Sequence, residues 1–361
     1  MKVLFVAHEV GSVRALVPVC HCCADRGIPF HVVDIGHFAN LQNREIRQAA
    51  VTLPADLSQI DAWLQQLSIT VMIFSVNSRN TLPLMLARRA SAINLPTLHV
   101  LDFWNGYRSR MILDGGALFV PSVYAVADQF AVTMAVAEGI DRAIIEITGQ
   151  PAFHDAEDRY QDAVNQPSQA VQSLLQHQIQ ARTLILFVSE PEQGHAAGSG
   201  SAIRAAMLVL LQALQQHPAG QSFYVCALPH PQEDRDQFTT LWRELGGEAF
   251  GCVVSDIRGR DLLPHVAGVV GLSSTLLYEA WLVGVPVLGL RPGSGNNVLW
   301  MTQCTDNMVL VHHLDGVIER VCAWLSEGVA GTHQSQVKQD LMRHRAAPEN
   351  IVNRIGALVA Q

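Results

Sequence analysis

The sequence predicts an α/β protein built as two Rossmann-like, doubly wound lobes facing a central cleft. Three observations predict it. Apolar, β-rich segments alternate with helix-compatible ones along most of the chain, the pattern of parallel sheets covered on both faces. That alternation breaks once, in a Gln-rich polar run after Pro151, and then restarts. The length, 361 residues, exceeds one ordinary core and fits two of roughly 150 to 200 residues.

Composition narrows the class. Apolar residues make up 49% and charged ones 16%, which supplies two buried cores and excludes a disordered chain. The formal charge of −8 argues against nucleic acid as a partner, because that contact needs a basic face to displace counterions. The opening "MKVLFVAHEVGS" has an apolar run too short for a signal peptide, and no later stretch is long enough to span a membrane. A cytoplasmic protein without an integral membrane segment is expected, with peripheral membrane contact left open. Seven cysteines without framework spacing predict reduced thiols. The cluster Cys20–Cys23 lacks a second ligand pair, so it reads as small core residues on a helix.

Taken in order, "KVLFVA", "FHVVDI", "VMIFSV", "LPTLHVLD", "ALFVPS" and "AIIEITG" are the expected strands of the first lobe. Between the first two, "VRALVPVCHCCADRG" has helical apolar spacing and stops at Gly27. The expected boundaries are an N-terminal lobe over 1–150, a linker or helix over 151–182, a second lobe over 183–345, and a C-terminal helix over 346–361 that docks back on the first lobe. In the second lobe "LILFVS", "SFYVCALPH", "AFGCVVSD", "VAGVVGLSS", "PVLGLRP" and "MVLVHH" read as strands, and "AIRAAMLVLLQALQQH", "EDRDQFTTLWRELG" and "LLYEAWLVG" as helices.

Ligands of open parallel sheets sit beyond the carboxyl ends of the strands, so chemistry is sought there. Ser273, Ser274 and Thr275 follow a strand and open a helix. One hydroxyl suffices for a cap worth about 1 kcal/mol; three, preceded by Gly271 and Leu272, fit a phosphate held at a helix N-terminus. Glu279, one turn farther on, is placed to accept a ribose diol or to be a solvated helix residue. His230 stands between two prolines that fix its direction, and an oriented imidazole can donate to a phosphate. Gly198 and Gly200 lie in the loop "SEPEQGHAAGSGSA", where glycine permits close approach to a donor phosphate, with Glu190 at its base as a substrate contact.

A strand ending in His230-Pro231, then Ser273-Ser274-Thr275 opening a helix that carries Glu279, then "GVPVLGLRP", resembles the nucleotide-binding lobe of the glycosyltransferase-B superfamily. The His-Pro and Ser-Ser-Thr pair is similar to motifs of bacterial sialyltransferases and CDP-glycerol glycerophosphotransferases, where they hold the phosphate of a cytidine nucleotide. "VPSVYAVADQFAVTMAVAEGIDRAIIEITGQPAFHD" resembles the end of the N-terminal lobe in that superfamily. Non-hydrolysing UDP-N-acetylglucosamine 2-epimerases share the scaffold; "RPGSGNN" keeps Arg291 of their pattern and lacks its acidic stretch. The acidic-acidic-Gly motif of the sialyltransferases is absent, Glu138-Gly139 and Asp114-Gly115 being partial matches.

What the resemblance implies is a glycosyltransferase moving a sugar or sugar acid from a CMP- or UDP-linked donor to a hydroxyl of a carbohydrate or glycoconjugate acceptor. Its alternatives are an epimerase or hydrolase of the 2-epimerase kind and a non-catalytic sugar-nucleotide-binding protein. Proton removal needs a base; Asp102, just past a strand, is the first choice and Glu9 the second. Gly11, Trp104 and Tyr107 are expected against the substrate, the two aromatics by stacking, together with Arg291. Arg108 and Arg110 read as anion partners or, preferably, as a solvated face. No Asp-x-Asp pair occurs, so neither metal nor cofactor is expected, and helix dipole and histidine stabilise the leaving phosphate.

Overall fold

The computed structural model describes residues 1–76, 80–113, 115–177, 182–190, 201–293, 309–311, 313–327 and 335–360. The chain divides into two compact units, Met1–Asp155 with Asp340–Gln361, and Ala156–Gln339. Four helices recur below: α1 (Val10–Asp25), α2 (Thr275–Leu282), α3 (Ser335–Arg345) and α4 (Ala347–Val359).

Unit 1 holds strands β1 (Val3–Val6), β2 (Phe30–Val33), β3 (Ala50–Val51), β4 (Val71–Phe74), β5 (Thr97–Val100), β6 (Val123–Val126) and β7 (Ile145–Ile147). They form one parallel sheet in the order β3-β2-β1-β4-β5-β6-β7. β1, β4, β5 and β6 are buried at every position, the reason their sequences are continuously apolar rather than alternating. Unit 2 repeats the scheme with β8 (Thr183–Val188), β9 (Phe223–Leu228), β10 (Gly251–Val253), β11 (Gly268–Gly271), β12 (Val287–Leu290) and β13 (Val309–Val311), ordered β10-β9-β8-β11-β12-β13. In both sheets the winding reverses beside the first strand, between β1 and β4 and between β8 and β11. At such a switch point adjacent connections leave in opposite directions and open a crevice. The fold is α/β with two doubly wound sheets.

Three local expectations are corrected. "ALFVPS" forms no named strand: Leu118 makes only an isolated antiparallel bridge to Ile112. The sixth strand starts after Pro121, at Val123, because proline cannot donate to a central ladder. β3, two residues long, is an edge strand that its short sequence does not announce. The Gln-rich run is two helices, Ala156–Asn165 and Gln169–His177. Cys20 and Cys23 are buried in the unit-1 core on α1, and burial raises both thiols.

The returning tail completes unit 1. Ile351, Val352 and Ile355 of α4 enter the core against α1, each stabilising the unit by roughly 1.5 to 3 kcal/mol. Its seat is the segment Thr148-Gly149-Gln150-Pro151. The Gln150 N–H donates to Nδ1 of fully buried His344 at 3.0 Å, Asn350 donates to the Thr148 carbonyl at 3.1 Å, and the Gln150 amide donates to the Leu101 carbonyl at 2.8 Å. Accepting there while wholly desolvated, His344 is held neutral, its value lowered to about 3 chiefly by burial. Gly149 has φ +87°, and a Cβ on it would lie 2.4 Å from the Arg343 carbonyl oxygen.

Replacing Gly149 by alanine therefore adds left-handed backbone strain to a clash with backbone. We expect a loss of about 3 kcal/mol, read from urea midpoints, whereas a change below about 0.5 kcal/mol, the scale of an ordinary surface substitution, would contradict this reading of the seat.

Candidate functional site

At the unit-2 switch point the ends of β8 and β11 are neighbours, and this pairing brings Glu190 to the mouth of α2. Ser274 is the N-cap of α2, with extended backbone and its Oγ accepting from the Leu276 N–H at 3.3 Å. Ser273 is thereby spared the capping role. Its N–H donates to Glu190 Oε2 at 3.2 Å, and its Oγ–H lies 2.8 Å from both carboxylate oxygens. Arg291, immediately after β12, places Nη1 3.5 Å from Ser273 Oγ and 3.8 Å from Glu190 Oε1. Thr275 is the first residue of the helix. Of the three hydroxyls, then, one caps, one meets a carboxylate, and the third opens the first turn.

This is an anion site with a carboxylate of the protein already in it. The first-turn N–H groups and the positive end of the helix dipole favour negative charge, and the guanidinium adds a full cation. Burial nevertheless pushes the Glu190 carboxyl above its ordinary value, against the lowering pull of Ser273 and Arg291.

His230 follows β9 in the same sheet. Its N–H donates to Glu233 Oε2 at 2.6 Å, and the Ser189 hydroxyl donates to Glu233 Oε1 at 2.8 Å, so one carboxylate ties the end of β8 to the end of β9. The Gln232 N–H donates to His230 Nδ1 at 3.2 Å. An accepting Nδ1 leaves the ring proton of the neutral imidazole on Nε2, the tautomer that donates outward. Glu233 escapes a reading for catalytic types; its signal is an acid three residues after a histidine whose N–H needs an acceptor.

Glu279 lies inside the unit. Its carboxylate is 3% exposed and forms a two-point ion pair with Arg260, Nη2 to Oε1 at 2.6 Å and Nε to Oε2. Facing Arg260, it ties α2 to the turn Gly259–Leu262; a solvated carboxylate is not what the fold makes. Gly198 and Gly200 lie outside the described residues.

In unit 1 the polar residues also collect beside the switch point. Asp102, past β5, accepts from Ser12 Oγ at 2.7 Å and pairs with Arg110, both partners of the ion pair being 8% exposed. Arg110 also donates to the carbonyls of Val76 and Asn105 and to Asn105 Oδ1, at 3.0 to 3.1 Å. Arg110 is thus no solvated residue: a buried carboxylate requires a counter-charge. Arg108 is exposed, as a solvated face would be. Gly11 packs against Asp102, where a Cβ would stand 3.4 Å from Oδ2. Glu9 holds the N-cap position of α1 without using its side chain as a cap; its Oε1 is 3.5 Å from His8 Nδ1 and the side chain is 28% exposed.

The aromatic stacking surface expected after Asp102 is not formed. Trp104 is buried, donating Nε1–H to Asp128 Oδ2 at 2.6 Å and lying over Phe153 with planes 15° apart. Tyr107 is equally buried, and its carbonyl accepts from the Tyr124 hydroxyl. Two large rings next to a strand end gain more by joining the core than by waiting for a ligand.

No protein-family model and no curated protein sequence matches the chain. Solved structures resemble it end to end. The UDP-GlcNAc 2-epimerase of Methanocaldococcus jannaschii is similar with a TM-score of 0.70 at 15% identity, over 99% of this chain and 100% of that one. The UDP-GlcNAc 2-epimerase of Neisseria meningitidis, bound to UDP-GlcNAc, has a TM-score of 0.65 at 12% identity over 100% of both chains. HepE of Anabaena, in complex with UDP and glucose, has 0.63 at 12%, covering 100% and 99%. The architecture is thus the two-lobed, glycosyltransferase-B-like one. Among the described residues no helix is long and apolar enough to cross a membrane.

The Glu190 carboxyl gives a pH signature. A carboxyl whose folded value is raised holds its proton more tightly folded than unfolded, so its contribution to stability declines as pH rises from the ordinary 4.5 through the raised value. Glu190→Gln should therefore gain stability relative to the parent between pH 4 and pH 7, with a slope no steeper than about 1.4 kcal/mol per pH unit. Urea midpoints across that range check it, and a variant that loses ground as pH rises would contradict it.

Proposed function

We propose that the chain processes a UDP-activated sugar without a second substrate, as a sugar-nucleotide 2-epimerase or hydrolase. The observation that carries this reading is the mouth of α2, where Ser273, the capped first turn and Arg291 converge at the switch point. A diphosphate is a ligand of matching charge and chemistry for that place. Support comes also from the length of the likeness to UDP-GlcNAc 2-epimerases, which leaves no part of either lobe unmatched.

The chemistry assigns roles. Inverting carbon 2 of a sugar means removing its hydrogen on one face and returning it on the other. That hydrogen becomes acidic only as the bond from the anomeric carbon to the diphosphate breaks, so donors that stabilise the departing diphosphate serve both steps. Ser273, the α2 turn and Arg291 hold the diphosphate, with His230 donating from Nε2. Glu190 yields the Ser273 donors to the incoming phosphate. Glu9 and Asp102 are the candidate bases; Glu9 is the less restrained of the two, while Asp102 works within its pair with Arg110. Glu279 steadies α2 through Arg260. Capture of the same intermediate by water gives hydrolysis.

A transferase is the second reading, favoured by the oriented His230-Pro231 turn and the Ser-Ser-Thr opening of α2. The two readings differ in whether an acceptor is required. In deuterated water with UDP-GlcNAc alone, we expect a 2-epimer carrying deuterium at carbon 2, or UDP with free sugar, followed by NMR. Product formed only after a hydroxyl acceptor is added would overturn the epimerase reading in favour of the transferase. Ser273→Ala and Arg291→Ala should each weaken UDP binding by about tenfold or more, the worth of a hydrogen bond to a charged group, measured by calorimetry; unchanged affinity in both would remove the phosphate from this site.

A further inference from the structure

Far along the sheet from the α2 mouth, β9 turns Phe223, Val225 and Ala227 into the unit-2 core, which leaves Tyr224 and Cys226 on the opposite face. The parallel ladder sets Cys226 directly beside Cys252 of β10, so both side chains leave the sheet in the same direction. Directly paired residues on neighbouring strands are about 4.8 Å apart, inside the 4.4 to 6.8 Å that a disulfide bridges. β10 is the edge strand. Cys226 is fully buried, whereas Cys252 is half-buried and within reach of small solutes.

The surroundings make the two thiols unequal. The Cys226 thiol and the Tyr224 hydroxyl both donate to the Cys252 sulfur, and the guanidinium of Arg182 lies 4.4 Å over the Tyr224 ring. Two donors converging on one sulfur hold Cys252 down, to about 6, against its burial, and its partner Cys226 is pushed up. Cys20, Cys22, Cys23 and Cys322 are all raised by burial, so among the described cysteines the lowered thiol is Cys252.

We propose that Cys252 and Cys226 form a reactive thiol pair, a modification site at the edge of the unit-2 sheet that hydrogen peroxide and related small peroxides convert to a disulfide. The Cys252 thiolate attacks one peroxide oxygen; an S–O bond forms, the O–O bond breaks, and the departing hydroxide takes a proton and leaves as water. Cys226 then attacks the Cys252 sulfur, giving up its proton; the S–S bond forms, the S–O bond breaks, and a second water departs. Two thiols are oxidised and one peroxide is reduced to two waters. Tyr224 positions the attacking sulfur. The product staples edge strand β10 to β9, and a dithiol reductant reverses it. This site is independent of the sugar-nucleotide reading.

The test uses the full chain, treated with a few equivalents of hydrogen peroxide, quenched with an alkylating reagent and cut with trypsin, which cleaves between the two cysteines at Arg235 and Arg243. We expect the two peptides joined by a reducible link two hydrogens lighter than their sum. The link should be absent in Cys252→Ser, and Cys226→Ser should instead hold a sulfenic acid on Cys252 that dimedone traps. In the unsubstituted protein, Cys252 should react with iodoacetamide with a half-maximal rate near pH 6, and at pH 7 at least about tenfold faster than Cys322. A half-maximum near the roughly 8.5 of an ordinary thiol, or oxidation of Cys252 without linkage to Cys226, would overturn the proposal.

Discussion

A helix that begins where a central parallel strand ends presents unsatisfied N–H groups at the point where the sheet changes its winding, and the arrangement of unit 2 follows from how those groups are met. Ser274 satisfies one donor of α2 as its cap. Ser273, displaced one residue outward, cannot cap and turns its hydroxyl and N–H to Glu190. β8 supplies that carboxylate because β8 is the neighbour of β11, and β12, on the other side of β11, supplies Arg291. Three consecutive places in the strand order thus become the three walls of one anion site. A carboxylate in such a place satisfies the donors while no ligand is bound. It is also an easily exchanged occupant, since burial works against its charge.

Unit 1 uses the same geometry with a different balance. Its polar residues lie at the ends of β1, β4 and β5, but the central acid, Asp102, is locked between Ser12 and Arg110. Arg110 in turn draws in the carbonyls of Val76 and Asn105, so the loops after β4 and β5 are fixed through one guanidinium. Such a pair is rigid because separating it would leave a charge buried and uncompensated. Rigidity here and exchangeability in unit 2 are complementary properties for an enzyme that must keep one reactive group in place while a charged ligand comes and goes. The tail of the chain reinforces the rigid unit, α4 completing its core and Gly149 allowing the close approach that seats it.

Much of this was legible in the sequence, because buried parallel strands are marked by continuous apolar runs and most turns by glycine or proline. The two-sheet repeat, the helix mouth at Ser273–Thr275 and the polar end at Glu9, Gly11 and Asp102 are all visible as residues following such runs. What was not legible depends on partners far away in the chain. Arg110 looks like one of several surface arginines until Asp102 is buried beside it, and Glu279 looks solvated until Arg260 meets it. Trp104 and Tyr107 look like ligand platforms because sequence does not say which way a loop folds. "ALFVPS" looks like a strand because apolar content outweighs one proline by eye, though not in a hydrogen-bonded ladder. The pairing of Cys226 with Cys252 is a matter of strand register, which a separation of 26 residues does not disclose.

The central claim is that the α2 mouth is built for the phosphates of a sugar nucleotide. It is tested most directly by calorimetric titration with uridine, UMP and UDP at one ionic strength. The account predicts that affinity rises steeply from uridine to UDP and that Arg291→Ala removes most of the rise. Equal affinity for uridine and UDP, or a rise that Arg291→Ala leaves intact, would contradict it.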